Sequence, residues 1–273
     1  MSSRPVLTNL RRAALELLGN YQYLTTSQFY DVLEAATDSE RRSTRRMLLL
    51  LERSGLVRRS RYTIDRPSDP FLRYQFCYRL SREGLGALGR GSEQIEKAPA
   101  SIAHEVAITA FHLALAAEAA ARPTHQLYWE QTNLRRTVNP DALFALTDTT
   151  QPTALSTFYY FLEIERRRQG HYRNGVSALM SKLQRYASYR RTPQCGKEWL
   201  YFSGFRVVVV VETEERCVNL HRALGVSLPQ RFIWLTTAAD ARSRIGTAIF
   251  RAPPDLTCVH SLFAVSQRGQ SDE

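Results

Sequence analysis

The chain has 273 residues, of which 44% are hydrophobic, so its length allows two domains that each bury a core. No apolar run approaches the roughly 18–20 residues that a bilayer crossing needs, and the opening MSSRPVLTNLRR lacks the apolar stretch of a signal peptide. The four cysteines are scattered, with no CxxC pair or nearby histidine at zinc-ligand spacing, which argues against a zinc site. We therefore expect a cytoplasmic protein with no membrane partner.

Positive charge is the strongest signal in the composition. The formal net charge is +11 and the sequence pI is about 9.8. Such a balance favours a polyanionic partner, because Arg and Lys release condensed counterions when they neutralise phosphates. Residues 1–90 contain 16 Arg, no Lys and 9 acidic residues, so they carry +7 of the total. We therefore expect the first third of the chain to bind the polyanion.

Helical periodicity predicts three helices in this first third. An apolar stripe from Leu7 to Leu18 predicts a first helix that ends at Gly19-Asn20. The hydroxyl-rich 24–27 segment can cap a short second helix, and a third begins near Ser39 and ends at Ser54-Gly55. Three helices, the second short and the third charged, predict a helix-turn-helix.

The third helix has the composition of a DNA recognition helix. Its first two turns hold a polar and cationic set, Arg41, Arg42, Ser43, Arg45 and Arg46. Recognition helices place such residues in the major groove, where Arg binds guanine edges or phosphates. The apolar half that follows is expected to anchor the helix to the core. An isolated Arg cluster is more often a solvated helix face, but here the helix order supports DNA binding.

A basic hairpin is predicted directly after this helix. Residues 56–62 and 74–80 alternate like two strands, and a Pro-containing loop at 65–70 joins them. The first strand carries Arg58, Arg59 and Arg61, which makes the hairpin a candidate DNA-binding wing. A short helix at 81–88 and a polar linker at 89–100 follow. We therefore predict a winged helix-turn-helix domain over residues 1–95.

The remaining residues, 96–273, predict an α/β domain of mixed α+β type. A strong helix at 102–121 precedes three β-rich segments, a helix at about 175–189 and a very apolar strand at 205–211. A helix near 216–224, a strand at 231–236 and a helix from Asp240 extend this set. The order α-β-β-β-α-β predicts a mixed sheet flanked by helices.

Three acids are expected to meet at the edge of one strand pair. If Thr147 faces Thr157 in an antiparallel hairpin, Asp141 falls opposite Glu163, and Glu165 points the same way as Glu163. Clustered carboxylates are costly unless a cation neutralises them, and hard oxygen ligands suit Mg²⁺. The alternative is a solvated strand end in which Glu165 pairs with Arg166, Arg167 or Arg168.

The helix at about 175–189 adds two more candidate site residues. Lys182 and Tyr186 are four residues apart, so they share a helical face that can lean over the acids. A lysine in that position can orient water or a phosphate.

The combination of these motifs resembles a known family. The motifs are Pro140-Asp141, Glu163-Ile164-Glu165 at the end of the next strand, and the helix segment KLQRYASY at 182–189. They resemble the replication-relaxation family of plasmids and conjugative elements, whose members pair a winged helix with a domain related to PD-(D/E)xK nucleases. The resemblance covers nearly the whole chain.

The resemblance implies roles for the candidate residues. Asp141 and Glu163 match the two metal-binding acids of the PD-(D/E)xK pattern, with Mg²⁺ as the implied ion. The lysine expected two residues after the second acid is Glu165 here, so Lys182 would supply its charge from the helix. Lys182 and Tyr186 also resemble the Q-x-x-x-Y motif of exonuclease-type members.

Three functions follow from these expectations. The leading one is a DNA-binding protein of a bacterial mobile element that acts in plasmid replication, relaxation or mobilisation. Double-stranded DNA is then the partner, with replication or mobilisation proteins and a second copy of the chain as further candidates. The second function is a Mg²⁺-dependent endonuclease acting through Asp141, Glu163, Glu165, Lys182 and Tyr186. The third is a transcriptional regulator whose C-terminal domain is catalytically dead.

Overall fold

A computed structural model describes residues 8–63, 74–90, 102–131, 137–152, 156–166, 174–198, 204–227, 231–253 and 255–263. The chain divides into two compact units, residues 1–110 and 111–273, and the division falls inside the helix Ile102–Ala120. Both helices and a multi-stranded sheet are present, so the mixed α+β class predicted from the sequence is confirmed.

The first unit contains three helices followed by a β-hairpin and a short helix. Its elements are α1 (Asn9–Asn20), β1 (Leu24–Thr25), α2 (Thr26–Val32), α3 (Asp38–Arg53), β2 (Val57–Thr63), β3 (Tyr74–Leu80) and α4 (Arg82–Ala87). The short strand β1 was not predicted, and it pairs with β3 to give a sheet of order β1-β3-β2. The predicted loop at 65–70 and most of the predicted linker lie outside the described residues.

Local capping explains where α3 begins and ends. Thr37 accepts a hydrogen bond from the Glu40 backbone, and the Glu40 carboxylate accepts one from the Thr37 backbone at 2.8 Å, which forms a capping box. Gly55 follows the helix with a φ of +74°, a left-handed conformation that glycine adopts without strain. The helix therefore matches the sequence prediction to within a residue or two.

The apolar half of α3 is only partly buried, which corrects one expectation. Met47, Leu48 and Leu51 are buried, but Leu49 and Leu50 each remain 37% exposed. Five consecutive positions span more than one turn of a helix, so a run of apolar residues reaches both the core side and the solvent side. Only the residues that recur every third or fourth position on the core side can anchor the helix.

The second unit contains a seven-stranded sheet, among the residues that the structure describes. The helix α5 (Ile102–Ala120) enters it, and its further elements are β4 (His125–Glu130), β5 (Ala142–Asp148), β6 (Thr157–Glu165), α6 (Asn174–Arg190), α7 (Pro193–Glu198), β7 (Arg206–Val211), α8 (Glu214–Ser227), β8 (Ile233–Thr237), α9 (Ala238–Arg244), β9 (Phe250–Ala252) and β10 (Asp255–His260). The elements α7, β9 and β10 were not predicted from the sequence. The predicted α-β-β-β-α-β order is present from α5 to β7, with α7 added between α6 and β7.

The strand order of this sheet is β10-β9-β8-β7-β6-β5-β4. Strands β4, β5 and β6 are antiparallel neighbours, whereas β6, β7 and β8 run parallel. Strand β7 includes Val207–Val211, which are all buried, as expected for a central strand covered on both faces. The carboxyl ends of β6 and β7 therefore lie side by side in the middle of the sheet.

Two different layers cover the faces of the sheet. On one face, Phe161, Val207 and Val209 pack with Leu183 of α6 and Leu220 of α8 in a single buried cluster. On the other face, aromatic rings of β4, β5, β6 and β8 follow one another across the sheet, Trp129, Phe144, Tyr160 and Trp234. The side chain of Glu163 shares the first face, because it lies two residues beyond Phe161 on the same strand.

Helix α5 is long enough to cross a bilayer, although it is interrupted by polar residues and is not a continuous apolar run. It has 19 residues and a mean hydropathy of 1.2, which makes it the one candidate span among the described residues. Length and composition alone are weak evidence, because the core helix of a globular protein passes the same test. Val106, Ile108, Phe111 and Leu115 of this helix are buried within the protein.

Candidate functional site

The predicted recognition residues all lie on the exposed side of α3. Arg41, Arg42, Ser43, Arg45 and Arg46 are exposed, whereas the neighbouring Thr44 is buried against the core. The capping box fixes the start of the helix, so these side chains project from its first two turns. The structure therefore leaves all five predicted residues accessible to a ligand.

Tyr30 of α2 holds two of the four arginines in place. The guanidinium groups of Arg41 and Arg45 each lie 5.7 Å from the centre of the Tyr30 ring. The Arg45 Nε–H donates to the Tyr30 hydroxyl, and the Arg41 Nε–H donates to the carbonyl of Ala35 at 3.2 Å. The hydrogen bond to the Tyr30 hydroxyl raises the pKa of Arg45, so this side chain stays cationic.

Arg42 and Arg46 differ from this pair. They are four residues apart and therefore share a second side of α3. Within residues 8–63 and 74–90, neither forms an ion pair with an acid. Two arginines are thus fixed by Tyr30, and two extend into solvent with their charges available to a ligand.

The hairpin divides its three predicted arginines between two faces. Arg59 pairs with Glu52 of α3 at 3.1 Å, and Arg59 and Arg61 lie 4.6 and 5.4 Å from the centre of the Phe76 ring. Arg58 lies between them in sequence and therefore points to the opposite face, where it faces Arg79 of β3. The structure thus groups Arg59 and Arg61 on the α3 side and places Arg58 apart from them.

The predicted register of β5 and β6 is confirmed. Thr147 pairs with Thr157, and their hydroxyl oxygens lie 2.9 Å apart. At the other end Ala142 pairs with Leu162, so Asp141 and Glu163 are the next two residues along the ladder. The Asp141 N–H donates to the Leu162 carbonyl at 2.9 Å, and its carboxylate accepts from the Ile164 N–H at 2.7 Å. Asp141 is therefore fixed at both its backbone and its side chain.

Glu163 lies at the centre of the acidic site and is only 4% exposed. Lys182 donates to its Oε2 at 2.5 Å, and the Tyr186 hydroxyl donates to its Oε1 at 2.5 Å. Both donors come from the same face of α6, as the spacing of four residues predicts. The structure thus brings together Asp141, Glu163, Lys182 and Tyr186.

Burial and a neighbouring negative charge make Glu163 a weak acid for a glutamate. Its pKa is raised to about 7, first by desolvation and then by the charge of Asp141, while Lys182 and Tyr186 act in the opposite direction. The pKa of Tyr186 is raised by its own burial and by the adjacent Glu163 charge, so its phenol keeps its proton. The site therefore holds a carboxyl group that titrates near neutral pH, next to a permanent hydrogen-bond donor.

Glu165 does not join the other two acids, which corrects the expected three-acid cluster. Arg216 of α8 binds both of its carboxylate oxygens, through Nε at 2.9 and 3.1 Å and through Nη2. Arg216 was not predicted. The sequence alternative was a partner among Arg166, Arg167 and Arg168, of which the last two lie outside the described residues. Among the residues described, no group of three or more His, Cys, Asp or Glu is placed to hold a metal ion.

The remaining donor set still matches the way proteins usually bind Mg²⁺. This ion commonly takes one or two carboxylates and keeps several waters, and Asp141 and Glu163 offer two carboxylates at adjacent positions. The charge of Asp141 raises the pKa of Glu163, and a cation between them would relieve that repulsion. In this structure the ammonium group of Lys182 neutralises the Glu163 carboxylate. A metal ion would therefore have to bind Glu163 together with Lys182 or displace it.

Comparison with known proteins places the whole candidate site within one family. The model of the replication-relaxation family matches residues 15–199. The chain belongs to the replication-relaxation family. The matched residues include all of α3, the hairpin, Asp141, Glu163, Lys182 and Tyr186, so the resemblance predicted from the sequence is confirmed. Arg216 lies beyond the matched range, so the family match does not include the partner of Glu165.

Comparisons outside this family add little. No curated protein matches the sequence of this replication-relaxation protein. Among solved structures, the restriction endonuclease FokI is similar at a TM-score of 0.31 with 12% identity. That comparison covers 89% of this chain and 45% of the FokI chain, so this chain spans less than half of that length. A TM-score this low carries no argument about activity.

Proposed function

We propose that this protein binds double-stranded DNA of a bacterial mobile element and acts there in plasmid replication, relaxation or mobilisation. The observation that carries the proposal is the exposed arginine surface of α3, with two arginines fixed by Tyr30 and two extended into solvent. Family membership supports a role in replication or relaxation. Replication or mobilisation proteins are the further partners that such a role implies.

The direct test is binding of the full chain to a fluorescent DNA duplex, measured by anisotropy over a series of salt concentrations. Phosphate contacts release counterions, so we expect the logarithm of the association constant to fall linearly with the logarithm of the salt concentration, by about 0.9 for each phosphate neutralised. A slope near zero, or no binding at low salt, would contradict the proposal.

A second candidate function is favoured by the arrangement of Asp141, Glu163 and Lys182. Two carboxylates and a lysine at one end of a strand pair are the groups that a Mg²⁺-dependent endonuclease needs. Asp141 and Glu163 would hold the ion, which when bound would polarise the scissile phosphate as a Lewis acid. Lys182 can hold a phosphate oxygen or orient water, and the Tyr186 hydroxyl keeps the Glu163 carboxylate in place.

We expect such an enzyme to nick supercoiled plasmid in Mg²⁺ and to fail in EDTA. Asp141→Asn should lower the nicking rate roughly 100-fold or more, because one of two metal-binding carboxylates is lost. Asp148→Asn is the matched control, since Asp148 lies at the other end of β5 and its side chain accepts hydrogen bonds from Thr150 in the adjacent turn. If the wild-type chain binds DNA but leaves the plasmid intact, the endonuclease is ruled out. The functions that then remain for the C-terminal unit are DNA binding without cleavage and binding of a regulatory partner.

A further inference from the structure

The hairpin formed by β2 and β3 has arginines on both faces, and only one of these faces lies on the α3 side. Strand side chains alternate between faces, and Arg59 identifies the α3 side because it pairs with Glu52. Arg58 lies on the other face, directly opposite Arg79 in the antiparallel register. We call this second side the back face of the hairpin.

A pocket of about 410 Å³ opens on the back face. It is lined by three arginines, one acid and two further residues, Arg58, Arg79, Arg82, Glu83, Leu80 and Ser81. Glu83 is the only carboxylate among these lining residues, so the pocket has an excess of positive charge. The Glu83 side chain is exposed to solvent and therefore offsets the arginines weakly.

The arrangement of the arginines suggests that an anion belongs between them. Like charges placed directly opposite each other on neighbouring strands destabilise a sheet, and Arg58 and Arg79 are such a pair. Arg79 is half-buried and lies 6.0 Å from the centre of the Tyr23 ring, which holds its guanidinium in place. Arg58 and Arg82 are exposed, so a ligand can reach them.

We propose that this back-face pocket binds a phosphodiester group of DNA, in addition to the DNA held by α3. Planar guanidinium groups bind phosphate oxygens in pairs, and three of them surround a space open to solvent. The phosphate belongs either to the flank of the duplex on α3 or to a second DNA segment. The inference rests on the proposed DNA-binding function.

The test replaces Arg58 and Arg82 together with alanine and leaves Arg79 in contact with Tyr23. In anisotropy titrations, the slope of log association constant against log salt should become less steep by about 0.9, because the pocket holds one phosphate and each phosphate contact contributes about that much. Arg222→Ala with Arg242→Ala is the control of equal charge, because both are exposed arginines of the second unit. A slope equal to that of the control, together with unchanged capture of a second duplex in the assay below, would overturn the proposed phosphate site.

A capture assay separates the two sources of the phosphate. Protein bound to an immobilised duplex is mixed with a fluorescent second duplex. If the pocket holds a second DNA segment, Arg58→Ala with Arg82→Ala abolishes capture of the second duplex. If the pocket holds the flank of the first duplex, capture does not depend on these two residues. In that case the change in salt slope disappears when the first duplex is shortened.

Titration with inorganic phosphate tests the pocket separately from the proposed function. If the chain binds no DNA at all, the proposed function is contradicted, but NMR can still show whether the pocket binds phosphate. Titration with phosphate should shift the side-chain Nε–H signals of Arg58, Arg79 and Arg82, and the signals of Arg222 and Arg242 should stay in place. No shift at the three pocket arginines would overturn the inference.

Discussion

Replacing Lys182 with methionine is expected to lower the free energy of unfolding by about 3 kcal/mol at pH 8 and by much less at pH 5. Lys182 is the cation that neutralises the buried Glu163 carboxylate, and breaking a buried pair from one side costs roughly 3–5 kcal/mol. The lower end applies because the Lys182 side chain is 27% exposed. Urea unfolding at the two pH values measures the effect.

The pH dependence follows from the direction of the Glu163 pKa shift. Folding raises this pKa from its ordinary 4.5 to about 7, so between these values the folded protein holds a proton that the unfolded chain has lost. This contribution to stability is fully present below about pH 4.5 and is lost as the pH rises through 7. It amounts to about 3 kcal/mol over that window.

Glu163→Gln should remove this pH-dependent part, because glutamine does not titrate. The difference in unfolding free energy between the variant and the wild type should therefore shift by about 3 kcal/mol in favour of the variant from pH 4.5 to pH 8. Parallel pH profiles for wild type and Glu163→Gln would show that Glu163 does not titrate near neutrality.

Lys197→Met is the matched control for Lys182→Met, since Lys197 is an exposed lysine on α7.

Replacing Arg42 and Arg46 together with alanine is expected to weaken binding to random-sequence duplex DNA roughly tenfold at moderate salt. The two side chains extend from one side of α3, so the double variant loses two contacts with the same stretch of the DNA backbone. The salt slope should become less steep by about 2, because two phosphate contacts are lost. Anisotropy titrations at four or more salt concentrations provide both quantities.

The control for this variant must carry the same change in charge. Arg222→Ala with Arg242→Ala meets that requirement, and both positions are exposed in the second unit. If the α3 variant and the control lose the same affinity, the effect comes from net charge and α3 is not the DNA-binding surface. Far-UV circular dichroism of the α3 variant checks that the helix is retained.

Local signals in the sequence were sufficient for much of the fold. Once Thr147 was assumed to face Thr157, the placement of Asp141 beside Glu163 followed from counting residues, and the structure has that register. The spacing of Lys182 and Tyr186 likewise placed both on one side of α6. Such predictions succeed because the strand period of two and the helix period of 3.6 are set by backbone geometry.

Contacts between distant segments were harder to predict. Arg216 binds Glu165 across 51 positions of sequence, and nothing near either residue indicates the pair. A topological signal was nevertheless present: β6 and β7 are parallel, so the helix that follows β7 begins beside the end of β6. Tyr30 was missed because an aromatic residue on a short helix usually indicates core packing. The strand β9 has three residues, too few to show a periodic pattern.

The central claim is that the arginine surface of α3 contacts DNA, and hydrogen–deuterium exchange on the full chain tests it most directly. Amide exchange is compared with and without a saturating DNA duplex. We predict slower exchange in peptides covering residues 38–46 when DNA is present, with α8 of the second unit as an internal reference. Unchanged exchange at residues 38–46, under conditions where anisotropy shows that the DNA is bound, would contradict the account.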